Sequence, residues 1–194
     1  MTTGAAGPVA SETAGRILDA AGRCFVARGV TGTTIADVAR AAGVSRPTVY
    51  RWFADRDALL AAFVQRAARR LGGEIAVTVG GGDPGGRLVD AVLAAVDGVR
   101  ADPTLAAWFA SEAAGAALGA AAASPVIEAL AAAFLGDTDD GEVRARARWV
   151  VRVTVSLLAM PGRDRAEERA LLERFLVPVI LGAPAWRGTE VCSH

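Results

Sequence analysis

The run SRPTVYRWFADR at residues 45–56 places hydrogen-bond donors at helical spacing. Arg46, Thr48, Tyr50, Arg51 and Trp52 fall on one side of a short helix, with Val49 and Phe53 on the other. An arginine near the start of a helix lying in the major groove of a duplex donates in a bidentate way to guanine O6 and N7. A threonine there bonds a base edge or packs on a thymine methyl. Tyr50 and Arg51 suit phosphate oxygens, which fix register without reading sequence. Arg56, following the cap Asp55, offers one more phosphate contact. Catalytic chemistry does not compete with this reading. The one histidine is His194, and no Cys–His pair, paired carboxylates or metal cluster can be assembled, so no enzyme, cofactor or metal is expected.

Positioning those donors takes two helices and a tight turn. Thr34 is placed to cap the first, with Asp37 as reciprocal partner, and Ile35, Val38, Ala39 and Ala42 form its apolar face. Gly43 suits the left-handed residue that ends a helix, Val44 turns inward, and Ser45 caps the second helix. Pro47 falls in the first turn, where a missing N–H costs nothing. A preceding helix from Ser11 to Gly29 packs across both, giving a core of Ile17, Phe25, Ile35, Val38, Val44, Val49 and Phe53. Cys24 reads as a small buried hydrophobe. Arg16, Arg23 and Arg28 lie on its exposed side, either as solvated surface or within reach of phosphate.

The stretch TTIADVARAAGVSRPTVYRWFADRDALL resembles the N-terminal DNA-binding domain of the tetracycline-repressor (TetR) family, over about 50 residues with the preceding helix included. That resemblance implies phosphate contacts at Thr34, Tyr50 and Arg56 and base-edge contacts around Arg46, Pro47 and Thr48, with the cap Ser45 among the DNA-binding residues. Two positions depart from the family pattern. Arg56 stands where lysine is usual, and Trp52 stands at a frequent tyrosine or histidine.

The chain has 194 residues, 53% of them apolar, enough for a sizeable core. Its net charge is zero, but residues 1–70 hold ten Arg against five acids, a net +5, and residues 71–194 hold eleven against sixteen, a net −5. The basic half is the half with the donors, as phosphate binding requires. There is no lysine, a compositional bias, so the arginines alone say nothing about recognition. Two distant cysteines, Cys24 and Cys192, fit a reducing cytoplasm. The N-terminus lacks a signal-peptide pattern, and the apolar runs are too interrupted to span a membrane.

The predicted fold class is all-α: residues 1–10 disordered, a helix-turn-helix domain at 11–55, a helical regulatory and dimerisation domain at 56–184, and a tail at 185–194. A fourth helix runs from Arg56 to about Leu71; by the resemblance it links the domains and its tilt sets the recognition helix. GGGDPGG at 80–86 reads as a linker, lacking the Gly-Lys-Ser/Thr ending of a phosphate loop. DTDDGE at 137–142 reads as a solvated loop rather than a calcium loop. Helices follow at 87–100, from Pro103, from Pro125, at 142–160 and at 164–181, the last interrupted by Pro178.

The two terminal helices carry apolar stripes that either close on their own domain or pair with a second subunit in a four-helix bundle. The resemblance favours pairing, through Trp149, Val153, Leu157, Leu172, Phe175, Leu176 and Val179. A two-fold dimer would place two recognition helices about 34 Å apart, or a multiple of it, on a palindromic operator in double-stranded DNA. The resemblance also implies a small-molecule ligand, with candidates at Trp108, Phe109, Glu112, Phe134, Trp149, Arg152 and Ser156. Each also reads as core or surface, and a lipophilic ligand is expected. The expected function is thus a ligand-released transcriptional regulator, with repression as the expected sense. The competing reading is a helical protein-interaction module without ligand response.

Overall fold

The computed structural model describes residues 8–109, 115, 119, 120, 123–136 and 141–182, with side chains from residue 12 onward. Every regular element among them is helical: α1 (Pro8–Gly32), α2 (Ile35–Ala42), α3 (Arg46–Trp52), α4 (Arg56–Thr78), α5 (Pro84–Ala101), α6 (Pro103–Ala106), α7 (Pro125–Leu135), α8 (Gly141–Ala159), α9 (Arg165–Leu171) and α10 (Val177–Leu181). A π turn, Leu172–Leu176, joins the last two. The first helix begins at Pro8, so residues 8–10, expected to be disordered, are helical. Residues 1–7 and the expected tail at 185–194 lie outside the described residues.

Local chemistry sets most boundaries. Gly29 breaks α1 with φ 72 and ψ 163, at the predicted end of the helix, and one more turn runs to Gly32. Asp55, Asp83, Asp102, Ser124 and Asp164 each accept a backbone N–H at a helix start. The fourth helix continues past the expected end at Leu71 to Thr78, straight through Gly72 and Gly73. Packing explains it. A Cβ on Gly72 would lie 3.1 Å from the side chain of Leu130, and one on Gly98 would lie 2.6 Å from Leu71. Bare backbone lets α7 and α5 close on α4, which outweighs glycine's helix cost of about 1 kcal/mol. Pro178 explains the π turn: it has no N–H to continue the ladder, and the Val177 N–H reaches back to the Leu172 carbonyl instead.

Two cores result. The first joins α1 to α4 around Ile17, Phe25, Val38, Val49 and Phe53 and extends to Leu59, Phe63 and Leu71 of α4 and to Leu105 and Trp108. Packing therefore crosses the boundary expected at residue 55. At its centre Phe25 meets Phe63 edge-on at 5.1 Å and Trp108 at 5.6 Å, while Phe63 and Trp108 stack at 6.0 Å. The second core gathers Leu88, Val89, Leu93 and Val96 of α5 with Val150, Leu157, Leu172, Leu176 and Ile180. A buried carboxylate helps tie it shut. Glu168 is 1% exposed and takes both Arg100 Nη atoms, at 2.6 and 3.0 Å, together with the Gly162 N–H, while Arg100 also donates to the Leu157 carbonyl.

Candidate nucleic-acid interface and ligand cavity

The helix-turn-helix is built by its caps. Thr34 Oγ1 accepts the Asp37 N–H while Asp37 takes the Thr34 N–H and hydroxyl, a complete capping box. Gly43 turns left-handed at φ 66 and ends α2, and Ser45 receives the Thr48 N–H to start α3. Pro47 lies in the first turn of α3. Val49 is fully buried and Phe53 nearly so, which turns Ser45, Arg46, Pro47, Tyr50 and Arg51 to solvent. Thr48 is half-buried, its hydroxyl 2.9 Å from that of Ser45.

The basic residues of this head divide into two groups. Arg16 and Arg23 donate to the carbonyls of Ala42 and Ala41, neutralising the C-terminal end of α2. Arg28 and Arg40 both pair with Asp37, whose carboxyl is held far below the usual range first by the Thr34 hydroxyl and then by Arg28. The three α1 arginines thus staple α1 to α2. Arg56, expected to meet phosphate, instead donates Nε to the Thr33 carbonyl at 3.2 Å and Nη2 to the Val30 carbonyl at 2.6 Å. It clamps the start of α4 to the α1–α2 junction. Thr34, the other helix-start contact that the resemblance implies, has its hydroxyl hydrogen on Asp37. Arg46 and Arg51 are the two arginines of residues 12–63 without an acid or carbonyl partner among the described residues.

Trp52 is corrected from the outward set. It is half-buried against the first core, and its Nε1 is inaccessible and unpartnered. The expected core position Val44 is half-buried and packs against the same core. Cys24 is buried as expected, and burial pushes its thiol pKa up.

A cavity of about 430 Å³ opens between α4, α5, α7 and α8. Of the expected pocket residues, Trp108, Phe109 and Phe134 line it, and Glu112 lies outside the described residues. Trp149, Arg152 and Ser156 do share one face of α8, but it is the exposed face. The wall is made by Val150, Val151, Thr154, Val155 and Leu158, on another face of the same helix. The sequence reading also missed the larger part of the wall, made by Val64, Ala67, Leu71 and Ile75 of α4, Ala91, Val92 and Ala95 of α5, and Ile127, Leu130 and Ala131 of α7. Small residues toward one side of each helix, such as Ala68 and Gly72 on α4, Ala91 and Ala95 on α5 and Ala131 on α7, were the available signal, since small side chains leave the space that a cavity needs.

The expected dimer residues also separate. Leu157, Leu172 and Leu176 are buried in the chain's own core and are not free to meet a partner, while Val153 is half-buried beside them. Trp149, Phe175 and Val179 are 47%, 60% and 61% exposed, and Met160 and Leu171 join them as exposed apolar side chains on α8, α9 and the segments flanking them. No helix among the described residues is long and apolar enough to cross a membrane.

A two-helix unit capped at both starts, with exposed arginines on its second helix and joined to a larger helical domain, defines a helix-turn-helix DNA-binding protein. Residues 17–63 match the model for bacterial regulatory proteins of the tetR family. An HTH-type transcriptional regulator of Mycobacterium tuberculosis is 46% identical over 176 residues, covering 89% of this chain and 87% of that one. Among solved structures, a TetR-family regulator of Streptomyces coelicolor superposes with TM-score 0.62 at 24% identity, covering 91% of this chain and 99% of its own. The repressor AlkX of Dietzia, implicated in biodegradation of n-alkanes, superposes with TM-score 0.59 at 22% identity over 91% and 97%. The chain belongs to the TetR family of transcriptional regulators. Its relatives are regulators and not enzymes.

Proposed function

We propose that this protein is a cytoplasmic repressor that binds a palindromic operator as a homodimer and releases it when a small lipophilic molecule enters the cavity. The observation that carries the reading is the sorting of charge in the head. Arg16, Arg23, Arg28, Arg40 and Arg56 hold the protein together, whereas Arg46 and Arg51 stand on the exposed face of α3 without an acid or carbonyl partner among the described residues. Unpaired cations on a short rigid helix suit the major groove and its phosphates. In this reading Arg46, Pro47 and Thr48 face base edges, Ser45, Tyr50 and Arg51 face the backbone, and Arg56 positions them.

The exposure of Trp149 and Met160, and of Leu171, Phe175 and Val179 at four-residue spacing, supports a two-fold contact, because large exposed apolar side chains on terminal helices mark interfaces. Ligand release needs only that the bound state prefer a head spacing unsuited to DNA, a coupling of about 1 to 3 kcal/mol. Mobility-shift titration on DNA from its own promoter region tests the core of the reading. Wild type is expected to bind one site selectively and in a salt-sensitive way. Arg46→Ala and Tyr50→Phe are each expected to weaken that binding, and an absence of selective binding by wild type refutes it.

A further inference from the structure

Resting on the reading of the cavity as the regulatory site, we propose that its ligand is a neutral, hydrocarbon-like molecule recognised without an ionic or hydrogen-bonded anchor. The wall supports this residue by residue. Among the described lining residues none is charged, and two carry a polar side-chain atom: Trp108 and Thr154. Both are unavailable as donors. Trp108 is 3% exposed and its Nε1–H has no accessible surface, while the Thr154 hydroxyl hydrogen is spent on the Val150 carbonyl at 2.8 Å. The described backbone facing the space is helical except at Trp108 and Phe109, which lie in a turn and whose N–H groups are taken by the Leu105 and Ala106 carbonyls.

A ligand entering this space therefore gains by shedding apolar surface, and the described wall offers no free donor to a buried carbonyl or carboxylate. The volume, about 430 Å³, falls in the range of small-molecule pockets. The position of Arg87 argues the same way. Arg87 is exposed and stands 5.5 Å from the centre of the Phe134 ring, whose side chain forms part of the wall. A carboxylate drawn to Arg87 would have to stop at the solvent rim and leave the space behind it to the chain alone. Selection is then by shape and by the cost of stripping water from any charge.

Three probes of matched length separate the possibilities: undecane, 2-undecanone and undecanoate, titrated calorimetrically into the full chain at pH 8. Undecane and 2-undecanone are expected to bind within about threefold of each other, and undecanoate at least about tenfold more weakly. Thr154→Val, which swaps the hydroxyl for a methyl of similar size, is expected to leave undecane binding within twofold. Ala95→Phe, or Ala131→Phe should the first misfold, is expected to abolish binding of all three. Tighter binding of undecanoate that Arg87→Ala removes would overturn the proposal in favour of an anionic amphiphile. A ketone preference lost in Thr154→Val or Trp108→Phe would overturn it in favour of a hydrogen-bonded anchor, and no binding by any probe would overturn it outright. None of these readouts involves DNA, so loss of operator binding would strike the regulator reading and leave this result standing.

Discussion

Arg56 and Arg51 are five residues apart and carry the same charge, yet the geometry assigns them opposite tasks. Arg56 donates to the Thr33 carbonyl at 3.2 Å and the Val30 carbonyl at 2.6 Å from a half-buried position. Hydrogen bonds from a charged donor contribute about 1.5 to 3 kcal/mol each. The Val30 carbonyl keeps a second donor, the Thr33 N–H at 3.3 Å, so the lower end applies. Replacing Arg56 by Gln should then cost about 2 to 3 kcal/mol and lower Tm by roughly 5 to 10 °C, measured by circular dichroism. Arg51 has no protein partner among the described residues, and Arg51→Ala should leave Tm within about 1 °C. On DNA the order reverses. Each phosphate contact contributes about 0.9 to the slope of log K against log salt, so Arg51→Ala should flatten that slope by about one per head. Arg56→Gln should weaken binding while leaving the slope unchanged. If Arg56→Gln flattens the slope and spares Tm, the arginine leaves its carbonyls for phosphate, and the division of labour argued from these distances is wrong.

Other consequences are as direct. Glu168 is held ionised first by Arg100, and its carboxyl pKa is lowered from the usual 4.5. Its folded value being below the unfolded one, the stabilisation is present above about pH 4.5 and lost as pH falls through the folded value. Glu168→Gln should cost about 2 to 3 kcal/mol at pH 7, since Arg100 remains about one-third exposed, and the gap from wild type in urea melts should narrow below pH 4. Phe175→Arg should halve the mass seen by light scattering while preserving the helical spectrum, whereas Leu172→Ala should destabilise the fold by about 2 to 4 kcal/mol. A dimer that survives Phe175→Arg would move the contact elsewhere. Gly43→Ala forces a Cβ into φ 66 and should cost about 1 to 2 kcal/mol, read from the same melts.

Local chemistry was written in the sequence and could be read there. Thr34, Asp37, Gly43, Ser45 and Pro47 specify two helices and a turn through contacts no more than five residues apart, and the structure forms each of them. Buried Ile17, Phe25, Val38 and Val49 follow from periodicity, because a helix face has a fixed repeat. What the sequence could not decide was which face of a helix meets which neighbour. On α8 it grouped Trp149, Arg152 and Ser156 correctly and put them on the cavity side, because amphipathicity identifies a stripe without naming its partner. Apolar composition likewise does not tell a leucine such as Leu172, sealed in its own domain, from Phe175 three residues on and exposed. The same holds for charge. Ten arginines in the first 70 residues give a basic half, but only folding brings Arg56 to carbonyls 23 and 26 residues away and leaves Arg46 and Arg51 without a partner among the described residues. Short-range capping and turn energies act between neighbours in the chain and so are encoded in order. Long-range pairing depends on where packed helices meet, and the tertiary structure alone decides that.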